Sequence, residues 1–326
     1  MEESRKTAVV AGGSAGAGRA VVSCLIDAGY RVGIIARGED RLQQLEATYG
    51  AQVLTRSCDV SDAEAVERAG AEIEAALGPV EVWVNAAMLT SFSPFARMPA
   101  CEFDRIVDAT LLGVVNGTRT AIRLMEARNR GRIVNIGSGL SYRAVPYQSA
   151  YCTAKHGVNG FSSAIRSELI REGARVTVSL VQLPSMNTPQ FDWARNRLSK
   201  KPRPASPVFQ PEIASKAVMR AVREGRREYL VGTSVLQLVF ANMIFPDWLD
   251  HRLADRGAEM QKSQAEEPGN RDDNLDMPVP GIDATPHGSF GSLASGGGLV
   301  VDGDRARWLV FGALPVAGFA LGMMLG

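Results

Sequence analysis

Short apolar runs rich in valine and isoleucine alternate with longer helical patterns through the first 232 residues of the chain. The runs have the length and composition of strands that are buried on both faces of a parallel sheet, and they lie at 7–11, 31–36, 80–84, 132–137 and 175–181. Between them, apolar residues recur at helical spacing over 41–49, 63–77, 103–126 and 150–171. Strands that alternate with helices require right-handed crossovers, so the pattern predicts a doubly wound α/β fold.

Composition excludes several classes of function. The 326 residues carry 36 basic and 35 acidic side chains, so the net charge of +1 gives no electrostatic basis for binding nucleic acid. The four cysteines lack the close pairing of a zinc or redox motif, and the three histidines are far apart, so we expect no metal site. The first ten residues, MEESRKTAVV, have no apolar core between charges and a cleavage site, which predicts no signal peptide. Arg305 and Arg307 stand just before an uncharged segment at 308–326, and by the positive-inside tendency they predict a cytoplasmic catalytic domain.

A glycine-rich loop joins the first predicted strand to the first helix, in the sequence AGGSAGAGR over 11–19. Glycines at this place allow a tight turn and let backbone N–H groups approach a pyrophosphate at the positive end of a helix. The loop therefore predicts a dinucleotide site. Its expected binding residues are Gly12, Ser14, Gly16, Ala17 and Gly18.

The end of the second predicted strand indicates which dinucleotide is bound. An NAD site places an acidic residue there to bind the ribose hydroxyls, but this strand ends Ala36-Arg37, and the next carboxylate is Glu39. The planar guanidinium of an arginine can bind a 2′-phosphate through two hydrogen bonds. A solvent-facing arginine is the alternative interpretation, but the missing acid also favours NADP(H) as the cofactor.

Three chemically matched side chains follow the strand at 132–137. Ser138 comes directly after it, Tyr151 follows thirteen residues later, and Lys155 lies one helical turn beyond Tyr151. A neighbouring ammonium favours the phenolate form, so Lys155 is expected to lower the pKa of Tyr151 and allow proton exchange with a substrate. The Ser138 hydroxyl can position the carbonyl oxygen of a substrate through a hydrogen bond.

These motifs resemble the classical short-chain dehydrogenase/reductase family over residues 7 to 232, in particular a bacterial subgroup with a C-terminal extension. The resemblance implies a seven-stranded Rossmann sheet and hydride transfer between nicotinamide and a carbonyl or alcohol. It implies that Tyr151 is the acid/base, that Lys155 holds the nicotinamide ribose and that Ser138 orients the substrate oxygen. It also assigns cofactor contacts to Asp59 and Val60 beside the adenine, to Asn85 and Ala86 after the fourth strand, and to Pro184 and Thr188 over the nicotinamide. Family members commonly pair through their long helices, so a homo-oligomer is expected.

The chain departs from the family pattern at one catalytic position. The family's catalytic asparagine, in the long helix, aligns with Thr110. Asn116 lies six positions later on a different helix face and is no obvious substitute. A threonine hydroxyl could still hold the water that links Lys155 to solvent, so Thr110 is carried as the fourth predicted catalytic residue.

The carboxyl-terminal third has a different composition. An apolar helical stretch at 236–253, interrupted at Pro246, predicts a substrate lid within 233–255, whereas 256–306 is rich in Gly, Pro, Asp and Ser and predicts a flexible linker. Residues 308–326 contain no charge, and nineteen residues of helix span about 28 Å, which is close to the hydrocarbon thickness of a bilayer. We therefore predict a transmembrane anchor at 307–326 after the catalytic domain at 1–232. Recovery of the full chain in the soluble fraction without detergent would contradict it.

The sequence thus predicts a membrane-tethered NADP(H)-dependent oxidoreductase that acts on the carbonyl or secondary alcohol of a lipophilic small molecule. Phe191 and Trp193 in the expected lid favour a lipophilic substrate, although they could equally pack against the domain. The alternative is a cofactor-binding sensor or scaffold of the same fold with little turnover, which Thr110 favours.

Overall fold

The valine- and isoleucine-rich runs pair into one central sheet in the computed structural model, which describes residues 6–269 and 271–313. The strands of this sheet are β1 (Thr7–Ala11), β2 (Arg31–Ala36), β3 (Val53–Ser57), β4 (Val80–Asn85), β6 (Gly131–Ser138), β7 (Val176–Leu183), β11 (Glu228–Val231) and β14 (Val300–Asp302). Their spatial order is β14-β11-β7-β6-β4-β1-β2-β3. Short strand pairs outside the sheet are formed by β5 (Ser91–Phe92), β8 (Arg195–Asn196), β9 (Lys200–Pro202), β10 (Val208–Phe209), β12 (Lys262–Glu266) and β13 (Ala294–Ser295).

Helices cover both faces of the sheet, as its two apolar faces require. They are α1 (Gly16–Asp27), α2 (Glu39–Tyr49), α3 (Ala63–Leu77), α4 (Ala100–Val107), α5 (Gly113–Glu126), α6 (Ser149–Arg171), α7 (Gln190–Trp193), α8 (Glu212–Glu224), α9 (Thr233–Ile244), α10 (Pro246–Met260) and α11 (Gly303–Trp308). One core joins α1, α2 and α8 to the sheet, and a second core joins α3, α5 and α6 to the opposite face. The predicted doubly wound α/β architecture is confirmed.

The sheet has one strand more than the seven that the family resemblance implies. Seven strands run parallel, and β14 adds an eighth that is antiparallel to β11. A buried carboxylate holds this edge together, because Glu228 on β11 accepts a hydrogen bond from Tyr142 and lies 2.6 Å from the Arg307 guanidinium. The edge is therefore covered by chain that the sequence placed in a linker.

The segment 256–306 differs from the predicted flexible linker. Its described residues, 256–269 and 271–306, continue α10 to Met260, form β12, β13 and β14, and start α11. Between β12 and β13 they contact Arg37 and Arg41, which follow β2. Its polar composition suggested that it could not offset its ordering entropy. In the structure, arginines of the α/β domain donate hydrogen bonds to its backbone carbonyls, and these bonds help to offset the entropy lost when the segment is ordered.

The predicted lid and anchor fall on different parts of the chain. Residues 233–255 form α9 and most of α10, and the two helices meet at Pro246, which occupies the first turn of α10. The predicted anchor at 307–326 lies outside the described residues from 314 onward. Among the residues described, no helix combines the length and apolar character needed to cross a bilayer.

Candidate active site

The glycine loop between β1 and α1 is packed so tightly that side chains are excluded from two of its positions. Gly12 has a φ of +85°, and a Cβ there would lie 2.4 Å from the Ala87 backbone nitrogen. A Cβ on Gly18 would lie 2.1 Å from the Gly12 carbonyl oxygen. The loop is thereby held against the end of β4, and the first turn of α1 lies at the sheet edge, where the Gly16 N–H donates a 3.0 Å hydrogen bond to the Thr285 carbonyl. An anion such as a pyrophosphate is favoured at this helix N-terminus.

Charged side chains gather at the ends of β2 and β3. Arg37 follows β2, and its Nη1 lies 4.0 Å from the Asp59 carboxylate, while Arg105 on α4 forms a closer ion pair with the same carboxylate. Burial acts to raise the pKa of Asp59, but hydrogen bonds from Arg105 and Ser61 outweigh it, and the net pKa is lowered. Asp59 therefore stays ionised and holds two guanidinium groups beside the predicted adenosine site.

The three predicted catalytic side chains meet at the carboxyl end of β6. Ser138 ends this strand, and Tyr151 and Lys155 project from the first turns of α6. Lys155 is 1% exposed, and its Nζ donates a 2.6 Å hydrogen bond to the Ile136 carbonyl and lies 5.7 Å from the centre of the Tyr151 ring. The sheet edge and the helix thus place one hydroxyl, one phenol and one amine in the same pocket.

The electrostatics of this group differ from the sequence expectation. Lys155 was expected to lower the pKa of Tyr151. Burial instead raises this pKa, and the hydrogen bond with the Ser138 hydroxyl lowers it by less than burial raises it. Burial also lowers the pKa of Lys155 to about 8. Desolvation therefore dominates both groups, and Tyr151 is held as the neutral phenol, the form that can donate a proton.

Thr110 lies in a π-helical turn (Asp108–Leu112) between α4 and α5, and the structure engages its hydroxyl elsewhere. This hydroxyl accepts a 2.9 Å hydrogen bond from the Leu89 N–H and donates a 3.1 Å hydrogen bond to the Leu89 carbonyl. Both bonds fix the backbone after β4, and neither reaches Lys155 or Tyr151. The structure thus gives Thr110 a structural contact, and its catalytic role stays a prediction.

Asn85 is also placed differently from its predicted cofactor role. Its side chain is buried inside the sheet, donates a 2.8 Å hydrogen bond to the Asn135 Oδ1 of β6 and accepts one from the Trp83 ring nitrogen. This network links the centres of β4 and β6. Ala86, the next residue, lines the cavity described below.

A cavity of about 660 Å³ runs along the carboxyl edge of the sheet from Arg37 to Tyr151. It is lined by Ser138 and by every predicted cofactor residue except Asn85, namely Gly12, Ser14, Gly16, Ala17, Gly18, Arg37, Asp59, Val60, Ala86, Tyr151, Lys155, Pro184 and Thr188. The glycine loop and the predicted catalytic group therefore share one continuous space.

Among the lining residues that sequence reasoning missed are two arginines near Arg37, Arg41 and Arg105. Arg41 follows Arg37 by one helical turn, a spacing that could have drawn attention to it, but an arginine on a helix is usually solvated. Arg105 meets Asp59 across a sequence separation of 46 residues, so no local signal could have paired them.

The fold and the cavity define the class of this protein as a Rossmann-type, dinucleotide-dependent oxidoreductase. The family model described as "short chain dehydrogenase" matches residues 6–198, and the chain belongs to that family, whose members use NAD or NADP to act on carbonyl and alcohol groups. It is 30% identical over 270 residues to the "uncharacterized oxidoreductase YxnA" of Bacillus subtilis, which covers 80% of this chain and 74% of that protein.

Other similarities agree with this assignment. The "3-oxoacyl-[acyl-carrier-protein] reductase" of Bos taurus is 35% identical over 173 residues, which are 53% of this chain and 73% of that protein. The crystal structure of a short-chain dehydrogenase from Streptomyces avermitilis superposes with a TM-score of 0.66 at 25% identity, covering 79% of this chain and 99% of that one.

Replacing Thr110 by valine tests its structural role. We expect Thr110→Val to lower the free energy of unfolding by about 1–3 kcal/mol, because the buried N–H and carbonyl of Leu89 lose their partner. If Thr110 has only this structural role, the kcat for reduction of a ketone should stay within about threefold of wild type. Loss of a proton-transfer group would instead lower kcat by about 10²–10⁴-fold. Urea unfolding and steady-state kinetics measure the two effects, and Thr110→Ser, which keeps the hydroxyl, is the control. A large loss of kcat at unchanged stability would show that Thr110 serves the proton relay.

Proposed function

We propose that this chain is an NADP(H)-dependent oxidoreductase that interconverts a carbonyl and a secondary alcohol on a lipophilic small molecule, with Tyr151 as the acid/base. The observation that carries the proposal is the convergence of Ser138, Tyr151 and Lys155 in the cavity that begins at the glycine loop. An open parallel sheet binds its ligands at the carboxyl ends of its strands, which is where this convergence occurs.

The residues present fit a dinucleotide along the cavity. The glycine loop leaves no room for a Cβ at Gly12 or Gly18, and α1 offers its N-terminus to the pyrophosphate. Asp59 and Val60 would flank the adenine, and Pro184 and Thr188 would cover the nicotinamide. Bound nicotinamide would supply or accept the hydride.

The chain's own residues would handle the substrate oxygen and its proton. In the reducing direction, the Ser138 hydroxyl holds the carbonyl oxygen, and the Tyr151 phenol donates the proton as negative charge develops on that oxygen. Burial keeps Tyr151 protonated for this step, as described above. Lys155, fixed by the Ile136 carbonyl, provides positive charge near the phenolate that remains.

Two features support NADP(H) over NAD(H). Arg37 stands at the end of β2, where an acidic residue would bind the ribose of NAD, and Arg41 and Arg105 line the same end of the cavity. Guanidinium groups bind phosphate oxygens through parallel hydrogen bonds. Arg37 and Arg41 also donate to backbone carbonyls of residues 274–282, and Arg105 pairs with Asp59, so an additional 2′-phosphate would bind to the N–H donors that these contacts leave.

Apolar side chains around the substrate end of the cavity support a lipophilic substrate. Phe92 and Phe191 line it from the α/β domain, and Leu238, Leu249 and Leu253 line it from α9 and α10. Apolar walls with few polar groups recognise ligands through buried area. The membrane anchor and the homo-oligomer remain predictions that accompany this proposal.

The alternative function, a cofactor-binding sensor or scaffold with little turnover, is favoured by one observation. Thr110 replaces the family's catalytic asparagine, and its hydroxyl is committed to Leu89. This alternative predicts that the protein binds NADPH but does not oxidise it in the presence of any of a broad panel of ketones and aldehydes.

Tyr151→Phe tests the enzymatic function directly. Removal of the phenolic hydroxyl should lower kcat for NADPH-dependent ketone reduction by about 10²–10⁴-fold, because general acid catalysis contributes this much. NADPH binding, followed by fluorescence titration, should remain close to wild type. Tyr30→Phe removes a hydroxyl outside the cavity and is the matched control. Equal turnover by wild type and Tyr151→Phe would rule out the proposed acid/base.

Arg37→Met tests the cofactor preference. Wild type should bind NADPH more tightly than NADH. The Kd for NADH divided by the Kd for NADPH should fall by about tenfold in the variant, which is equivalent to about 1.4 kcal/mol. The ratio isolates the 2′-phosphate, because other effects of the substitution act on both cofactors. Arg56→Met, which removes a half-buried arginine of β3 that pairs with Glu72 outside the cavity, is the control. A wild-type preference for NADH, or an unchanged ratio, would contradict NADP(H) as the cofactor.

A further inference from the structure

Residues 271–290, which we name the strap, lie across the cavity and contact its two opposite walls. One wall is the adenosine end, formed by the end of β2 and by α2. The other is the loop 184–197 after β7, which contains α7 and would cover the nicotinamide. The strap contacts both walls through polar groups of its own.

At the adenosine end, arginine side chains bind the strap through its backbone. Arg37 donates from Nη1 to the Leu275 and Asp276 carbonyls, both at 3.1 Å, and from Nη2 to the Asn274 carbonyl at 2.6 Å. Arg41 donates to the Val279 carbonyl at 3.0 Å. Three of the five N–H donors of Arg37 thus serve the strap, which fixes the plane of the guanidinium.

At the opposite wall, the strap is held at both of its ends. Arg195 pairs with Asp273 at 2.8 Å and with Asp276 at 2.7 Å. Near the other end, the Asp192 carboxylate accepts hydrogen bonds from the backbone N–H and hydroxyl of Ser289. The Phe290 N–H donates to the Asn187 Oδ1 at 2.9 Å. The strap therefore ties the substrate loop to the adenosine end.

One side chain anchors the middle of the strap. Leu275 is 1% exposed and packs with Leu89, Ile106 and Ala109, in a cluster that Tyr151 joins from its edge. Within residues 271–290, only Leu275 and Val279 are buried. The strap is thus held by two buried side chains, by ion pairs and by the hydrogen bonds of Arg37 and Arg41, and it forms no strand of the central sheet. We therefore expect it to open at a lower free energy than the sheet.

The cavity continues beneath the closed strap. Asn274 and Pro278 line it together with the glycine loop, and the Thr285 carbonyl accepts a 3.0 Å hydrogen bond from the Gly16 N–H at the start of α1. The Gly16 N–H belongs to the predicted pyrophosphate site, so a bound dinucleotide would have to replace the Thr285 contact. The contacts of the strap with Arg37, Arg41 and Arg195 use other donors and would remain, so the strap would stay over the adenosine end while a dinucleotide is bound.

We propose that the strap is a clamp that closes over the adenosine half of bound NADP(H), positions Arg37, and must open each time the cofactor is exchanged. The inference rests on the proposed function, because it requires that a dinucleotide occupies this cavity. Strap opening, rather than the contacts of the cofactor alone, then sets the rate of cofactor release.

The first test weakens the strap without changing any residue assigned to the cofactor or to catalysis. In Asp273→Asn/Asp276→Asn the Arg195 ion pairs are lost while side-chain size is kept. The dissociation rate constant of NADPH from the full chain, measured by stopped-flow fluorescence, should rise by about five- to tenfold. Glu67→Gln, which breaks a surface ion pair on α3, should leave it unchanged. A rate constant within twofold of wild type in the double variant overturns the proposal.

The second test needs no variant and therefore does not depend on how a substitution affects folding. Amide hydrogen exchange of wild type should slow across 271–290 when NADPH is added, because the cofactor stabilises the closed strap. Unchanged exchange, or faster exchange that indicates displacement by the cofactor, overturns the proposal. Wild type that does not bind NADPH in titration contradicts the proposed function itself, so the two failures are distinguishable.

Discussion

The position of β1 at the centre of the sheet is the constraint on which the rest of the structure depends. β1 pairs in parallel with β2 on one side and with β4 on the other, so the chain winds outward from it in two directions. The loops after β1 and β4 consequently diverge and leave a crevice at the carboxyl edge. Gly12 closes the base of this crevice against Ala87, and β6 brings Ser138 to its rim.

Features that depend on local pattern could be predicted from the sequence. Buried parallel strands need continuous apolar runs, and a close backbone approach needs glycine, so the sequence predicted the glycine loop and five of the eight strands of the sheet. It did not predict β3, β11 or β14, which lie toward the edges of the sheet. The spacing of Tyr151 and Lys155 on one helix was equally local. Their pKa values were not, because the direction of each shift depends on burial by residues distant in sequence.

The regions that sequence reasoning misjudged are stabilised by long-range polar contacts. The composition of 256–306 predicted disorder, yet Arg37 and Arg41 order it from about 238 residues away along the chain. A backbone carbonyl accepts a hydrogen bond whatever its side chain, so composition holds no trace of this interaction. Thr110 and Asn85 also make long-range contacts that the sequence does not reveal. The side chain of Thr110 bonds to Leu89 and that of Asn85 to Asn135. A motif in the sequence cannot show whether such a side chain bonds to another residue or to a ligand.

The strap also connects cofactor exchange to the chemistry at Tyr151. Leu275 belongs to the apolar cluster that Tyr151 joins, so opening the strap would expose that cluster to water. Water at this place would reduce the desolvation that keeps the pKa of Tyr151 raised and that of Lys155 lowered. If the strap closes over the cofactor as proposed, the protonation equilibrium of Tyr151 and Lys155 would be coupled to its closure. The site would then be dry during hydride transfer, and cofactor release would be slow.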